Sequence, residues 1–144
     1  MPSFGKESSQ LLKTCHTDLQ DLFKAVVKLV DCKVISGYRT TEEQQELYAQ
    51  GRTKPGAIVT KTDGVTRRSK HQGLLEEPGV SLAVDIIPYP VDWLDKERFY
   101  FFAGFTYAMA VHMGIKVRWG GDWDGDLDLR DQSFYDLAHW EVVS

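Results

Sequence analysis

Cysteine is scarce in this chain, with two among 144 residues, Cys15 and Cys32, and no C-x-x-C pair. That excludes a disulfide framework and a zinc site built from thiolates, and leaves two free thiols expected in or near the core. No apolar run approaches the ~18–20 residues of a membrane-spanning helix, so no membrane anchor is expected. Basic residues are not in excess either. Seventeen Lys and Arg against twenty-one Asp and Glu give a net charge of −4, whereas a general nucleic-acid binder carries a basic patch. The opening residues, Met1-Pro2-Ser3-Phe4-Gly5-Lys6, lack the apolar core of a secretory signal, so synthesis as a cytosolic protein is expected. There is no repeat, low-complexity stretch or linker, which predicts one domain over residues 1–144.

What is present is patterned. Leu11, Cys15, Leu19, Leu22, Val26 and Leu29 or Val30 recur at spacings of three and four and predict one amphipathic helix, with Ser8 or Ser9 as N-cap. Val34-Ile35-Ser36-Gly37-Tyr38 reads as a short strand. Thr40 or Thr41, with Glu43 and Gln44 three residues on, offers a capping box for a helix that runs through Leu47 and Tyr48 and stops at Gly51. Residues 52–70 read as a long loop. It is basic, carrying Arg52, Lys54, Lys61, Arg67, Arg68 and Lys70 against Asp63 alone. Long loops in small domains are common places for substrate contacts. Residues 80–87 form an apolar strand closed by Pro88 and Pro90. Asp95 opens an aromatic-rich helix through Phe99, Phe102, Phe105 and Met109 to Gly114. Strands over 115–119 and near Trp140 complete an α+β fold with a small, mainly antiparallel sheet flanked by helices.

Chemistry concentrates at strand ends and loops. His71 sits in polar sequence between Lys70 and Gln72. Asp85 is a carboxylate inside Leu82-Ala83-Val84-Asp85-Ile86-Ile87, where an ionised group costs several kcal/mol unless a metal, a cation or several donors compensate it. It reads equally as a metal ligand and as a salt-bridge partner. Asp136 and His139 are three residues apart, which on a helical turn puts both on one face. Two imidazoles and one carboxylate, His71, His139 and Asp85, make a catalytic type of zinc site because a fourth position stays open. Asp136 is then placed to act on a metal-bound water. Glu141 is the rival base, or a group orienting a ligand, if the chain is extended beyond His139. Arg39 leaves a strand end with a permanent charge suited to a carboxylate or an oxyanion. Ser69 contacts substrate or caps a turn. Trp119, Asp122 and Trp123 line the cleft or pack. His16 and His112 are poor ligand candidates.

The stretch Asp122-Trp123-Asp124-Gly125-Asp126-Leu127-Asp128 has the D-x-D-x-D spacing of a Ca²⁺ loop. An EF-hand register from Asp122 nevertheless puts Leu127 where glycine is needed and Ser133 where a bidentate glutamate belongs. A solvated acidic loop is the stronger reading, with Ca²⁺ binding as the alternative.

Taken with their neighbours, these residues resemble the zinc D,D-carboxypeptidases and L-alanyl-D-glutamate endopeptidases that cleave peptidoglycan stem peptides, many of them bacteriophage endolysins. The resemblance spans nearly the whole chain. Its blocks are Phe4-Gly5, Ser36-Gly37-Tyr38-Arg39-Thr40, Gln44, Leu47-Tyr48-Ala49-Gln50-Gly51-Arg52-Thr53, Pro55-Gly56, Ser69-Lys70-His71, Ala83-Val84-Asp85, Trp119-Gly120-Gly121-Asp122-Trp123 and Phe134-Tyr135-Asp136-Leu137-Ala138-His139-Trp140-Glu141. It implies a hedgehog/D,D-peptidase-like fold, Zn²⁺ on His71, Asp85 and His139, Asp136 as the base, and substrate contacts around Tyr38, Arg39, Ser69, Trp119 and Asp122. The family spaces its first histidine and aspartate more closely, and removing residues 73–79, Gly-Leu-Leu-Glu-Glu-Pro-Gly, restores that spacing. The segment reads as a looped-out insertion near the rim of the site.

The function expected from the resemblance is cleavage of the L-Ala-D-Glu bond by a phage lysis enzyme. D-Ala-D-Ala carboxypeptidase and a non-catalytic wall-binding module are the alternatives; Asp136 and Arg39 count against the last. The expected protein is a monomer with no separate wall-binding domain. It would be made in the host cytoplasm, act on the cell wall after release through a factor such as a holin, and take peptidoglycan, not nucleic acid, as its partner.

Overall fold

The computed structural model describes residues 1–143. The apolar stripe expected to form one helix folds as two, α1 (Lys6–Leu12) and α2 (Thr17–Val26). The break has a local cause. His16 caps α2, its Nδ1 accepting from Asp18 N at 3.0 Å, while its own N–H donates to Ser81 O at 2.8 Å. Both segments bury apolar residues (Leu12, then Leu19, Leu22, Phe23 and Val26), so periodicity alone does not reveal the interruption. Gly5, not Ser8 or Ser9, is the N-cap of α1; buried Ser8 instead accepts from Val34 N at 3.1 Å and ties the helix to the sheet.

Strand β1 (Cys32–Ser36) leads to α3 (Thr41–Ala49), which opens with the expected Thr40–Glu43 capping box. The chain leaves α3 through Gly51 at φ +80°. The following segment is irregular up to a 3₁₀ turn at Lys70–Gln72. It is not a freely solvated loop. Buried Gln44 donates to Thr62 O at 2.9 Å and Thr60 Oγ1 at 3.3 Å, and buried Gln72 donates to Gly64 O at 3.0 Å. Two amide side chains thus supply backbone partners that a sheet would otherwise provide.

Strand β2 (Ala83–Pro88), helix α4 (Lys96–Met113), β3 (Val117–Gly120) and β4 (Asp136–Val142) complete the fold. Asp95 caps α4 through Arg98 N at 3.1 Å, and Gly114 ends it in the left-handed region. The four strands form one antiparallel sheet in the order β1-β2-β4-β3. Helices α2 and α4 cover one face of it, where Phe23 meets Phe102 and Trp140 at ring-centroid distances of 6.4 and 6.0 Å. The expected α+β class and small antiparallel sheet therefore hold.

The largest departure from sequence expectation lies in β4. Asp136 and His139 are on a strand, not a helical turn. Regular pairing with β3 puts Trp119 opposite Trp140, but Gly120 then pairs with Asp136, leaving an irregularity in the register around Leu137, Ala138 and His139. A Cβ on Gly120 would lie 2.1 Å from Asp136 O, so only glycine allows that approach. Residues 73–79 close on themselves through a Leu74–Glu77 bridge, and the chain returns with Leu82 N bonded to Lys70 O at 2.9 Å. The insertion leaves the following strand beside the turn that carries His71.

Candidate metal centre and active-site cleft

The two central strands create the site. Asp85 on β2 is paired directly opposite His139 on β4, and the Lys70–Gln72 turn brings His71 over the same spot. His71 Nε2 lies 3.3 Å from Asp85 Oδ2, and His139 Nδ1 lies 3.5 Å from Asp85 Oδ1. One potential ligand atom from each of the three falls within 4.8 Å of the others. The outer ring nitrogens are already engaged: His71 Nδ1 with Gly37 O at 2.8 Å and His139 Nε2 with Glu141 Oε1 at 2.9 Å. With those nitrogens donating, the inner ones present lone pairs toward Asp85. Asp85 Oδ1 is buried without a hydrogen-bond partner. An orphaned carboxylate oxygen between two available imidazole nitrogens is costly as it stands and fits a cation.

The charges support that reading. Burial opposes ionisation of Asp85, but the charge of His71 and the close His139 ring outweigh it and hold the carboxyl well below its usual range. Burial likewise opposes charge on His139, yet the neighbouring Asp85 carboxylate and the bond to Glu141 raise its pKa to about 9. A proton thus competes with a metal for that ring nitrogen. Asp136 is pushed up, first by burial and then by the charge of Asp85. Its Oδ2 sits 4.0 Å from His139 Nδ1 on the cleft side. Burial would raise Glu141, but its contact with His139 holds it low.

Arg39 is tied inward. It donates to Gln44 Oε1 and Ser36 Oγ, each at 2.9 Å, and contacts Asp85 Oδ2 at 3.4 Å. Burial lowers its pKa, against the raising effect of Asp85 and Asp136. A cleft of about 670 Å³ opens above these groups. Lys61, Arg68, Ser69 and Lys70 line it, Trp93, Trp123, Phe134 and Tyr135 contribute aromatic surface, and none of the lining residues comes from the 73–79 insertion.

The structure therefore brings together His71, Asp85, His139, Asp136, Arg39 and Glu141, with Ser69 at the wall. Ser69 Oγ caps the turn by accepting from His71 N at 3.2 Å. Three residues expected near substrate fall elsewhere. Trp119 is 1% exposed and stacks on Trp140 in the core, its Nε1 donating to Leu137 O at 2.7 Å. Tyr38 does not line the cleft; its backbone N–H is held by Thr14 Oγ1 at 2.8 Å. Asp122 is fully buried in the acidic loop beyond the cleft wall. Strand-end aromatics and acids look alike in sequence, and their burial is set by the sheet. Gly37 O, bonded to His71, and Gln44, bonded to Arg39, also support the site, and local sequence does not mark a backbone carbonyl or an amide for that role.

The acidic loop has its own geometry. Potential ligand atoms of Asp122, Asp124 and Asp126 lie within 4.8 Å of one another. Asp122 Oδ2 accepts from Leu127 N at 3.0 Å, whereas Asp122 Oδ1 is buried with no partner. Leu127 adopts φ +70° where a glycine was expected for such a loop. The bond from Asp128 N favours ionised Asp126, but desolvation and the charges of Asp124, Asp131 and Asp122 together raise its pKa.

An α+β domain presenting two imidazoles, a carboxylate and a nearby acid on an open cleft fits the class of hydrolytic metal sites in which three protein ligands leave one position free. The chain belongs to the phage L-alanyl-D-glutamate peptidase family, whose model matches residues 2–143. It is 28% identical to the L-alanyl-D-glutamate peptidase of Escherichia phage T5, over 97% of each chain. It is 32% identical to the peptidoglycan L-alanyl-D-glutamate endopeptidase CwlK of Bacillus subtilis (strain 168), covering 85% of this chain and 68% of that one. The crystal structure of the Serratia marcescens L-Ala D-Glu endopeptidase ChiX shares the fold, with a TM-score of 0.68 at 24% identity over 96% of this chain and 87% of that one. Among the described residues no helix is long and apolar enough to cross a membrane.

Proposed function

We propose that this protein is a zinc-dependent endopeptidase that cuts the L-alanyl-D-glutamate bond of peptidoglycan stem peptides, made in a phage-infected cell and acting on the wall after release. One observation carries the metal reading: both imidazoles have their outer nitrogens committed and their inner nitrogens turned onto Asp85, whose Oδ1 has no partner. His71, Asp85 and His139 would hold the ion, and a donor set of two nitrogens and one oxygen suits zinc. Zinc bound there supplies Lewis acidity that lowers the pKa of water from ~15.7 toward ~7.

The remaining roles belong to the chain. Asp136, on the cleft side of His139 with its pKa raised, accepts the water proton and returns it to the leaving amine. Glu141 holds the tautomer of His139 from behind, and Gly37 O does the same for His71. Arg39 orients Asp85 while adding positive charge where an oxyanion develops. Mass spectrometry of digested muropeptides tests the whole reading. An L-Ala/D-Glu cut that disappears on chelation and returns with zinc is expected. Loss of terminal D-Ala alone would indicate a carboxypeptidase, and no cleavage a binding module.

A second metal reading rests on the buried, unpartnered Asp122 Oδ1 beside Asp124 and Asp126. We propose that this loop binds Ca²⁺ through oxygen ligands. Tb³⁺ luminescence sensitised by Trp123 and displaced by Ca²⁺ is expected; no emission from the wild type, or emission unchanged in Asp124→Asn, would remove the site.

A further inference from the structure

We propose that Lys61 and Lys70 recognise the free carboxylate of the substrate's glutamyl residue, making the enzyme selective for stem peptides in which that group is not amidated. The inference rests on the endopeptidase reading above and names what the cleft reads beside the scissile bond.

The cleft is chemically lopsided. Its acids are Asp85, Asp136 and Glu141, and two of them already have cationic neighbours: Asp85 has Arg39 at 3.4 Å and Glu141 has Arg118 at 3.4 Å. Of the other cations lining the cleft, Arg68 directs Nη2 to the carbonyls of Gln72 and Gly73 at 3.3 and 3.4 Å. Lys61 and Lys70 differ. Neither forms an ion pair among the described residues, although both line a cavity containing three carboxylates.

Their backbones are fixed rather than adrift. Lys61 lies between Thr60 and Thr62, both held by buried Gln44. Its ammonium sits 5.2 Å from the centroid of the Phe134 ring on the aromatic side, a cation–π contact that keeps it over the cleft. Lys70 opens the turn that carries His71, and its carbonyl accepts from Leu82 N at 2.9 Å. Its charge also reaches the metal site, helping to hold Glu141 low.

The substrate supplies the matching charge. Glutamate has two carboxyl groups, and a linear stem peptide continues through only one. The other remains a few bonds from the scissile nitrogen, as a carboxylate or, where the wall is amidated, as a carboxamide. With the scissile bond over His71, Asp85 and His139, we place that group against Lys61 and Lys70, which line the same cavity as those three residues. Carboxylate and carboxamide have nearly the same shape. Ammonium groups separate them by charge, since the carboxylate offers two charged acceptor oxygens and the carboxamide one neutral acceptor beside an N–H donor.

The test uses the full chain loaded with zinc and two stem peptides that differ only in that group, glutamate against its amide. Wild type is expected to favour the acid by about 10- to 100-fold in kcat/KM, mainly through KM. The preference should shrink as salt rises, because both ammonium groups are exposed. In Lys61→Gln/Lys70→Gln the acid-to-amide ratio should collapse to within about threefold, and Lys61→Arg/Lys70→Arg should restore it, which separates recognition from misfolding. Binding of the two peptides to the zinc-loaded Asp136→Asn protein should give the same order without turnover. A wild-type ratio near one, or a ratio retained in the Gln variant, overturns the proposal while leaving the peptidase reading intact. Failure of the wild type to cut either peptide overturns both.

Discussion

Asp136 and Glu141 are five residues apart on one strand and are assigned different roles because one lies beside the inner nitrogen of His139 and the other binds its outer nitrogen. Asp136 is half-buried at the cavity; Glu141 is 5% exposed and bonded to His139 Nε2. Replacing Asp136 with Asn should lower kcat by about 10²–10⁴-fold while zinc affinity, read by competition with a chromogenic chelator, stays within about threefold. Glu141→Gln should do the reverse, weakening zinc binding by about 10–100-fold with turnover recovered in excess metal. If Glu141→Gln abolished turnover with zinc still bound, the two roles would have to be exchanged. Much of this is legible residue by residue. A carboxylate in an apolar strand and a glutamate two positions beyond a histidine on an extended chain announce themselves. The Gly37 carbonyl and the Gln44 amide do not, because any backbone carbonyl or glutamine has the same local chemistry until tertiary contacts choose it.

At the scale of elements, the D-x-x-H pair shows how a correct grouping can come from the wrong local geometry. A helical turn would place positions three apart on one face; a regular strand would place them on opposite faces. The register irregularity between β3 and β4 lets Asp136 reach the cleft, and it depends on Gly120 passing against Asp136 O. Gly120→Ala should cost about 2–3 kcal/mol in denaturant unfolding and reduce turnover more than zinc affinity, because Asp136, the proposed base, moves while the proposed ligands stay. The loop before His71 carries a pH signature. Hydrogen bonds from Thr66, then from the backbone of Arg67 and Val65, hold the Asp63 carboxyl down at about 2. Its folded pKa is thus below the unfolded value, so its contribution to stability is present above about pH 4. That contribution is lost as pH falls toward 2. Acid unfolding curves of wild type and Asp63→Asn should separate at pH 5 and converge below pH 2. The capping box of α3 and both ends of α4 were readable in advance because caps are local chemistry. The break between α1 and α2 was not, since His16 caps α2 while its backbone N–H bonds to Ser81, far along the chain.

For the molecule as a whole, the metal should act as part of the fold. Asp85 lies between two imidazoles with its buried Oδ1 unsatisfied, so an ion that binds only the native state adds stability by mass action. Zinc at a hundredfold excess over its Kd should contribute about 2.7 kcal/mol and raise Tm by about 5–10 °C in calorimetry. Chelation should reverse both the shift and the cleavage. The His71→Ala protein should show little zinc-dependent shift, which distinguishes this site from metal bound at the acidic loop.

By itself the sequence determined the α+β class, the three candidate ligands, the neighbouring acid and the family resemblance, because each rests on residue type and order. Tertiary structure decided which of the nearby residues share the site. Pairing Asp85 opposite His139, irregular pairing at Gly120 and a loop pinned by Gln44 and Gln72 put Asp136, Lys61 and Lys70 on the cavity. The same sheet buried Trp119 in the core and left Asp122 beyond the cleft wall. Strand register and long-range hydrogen bonds set those positions, and neither is encoded in local spacing.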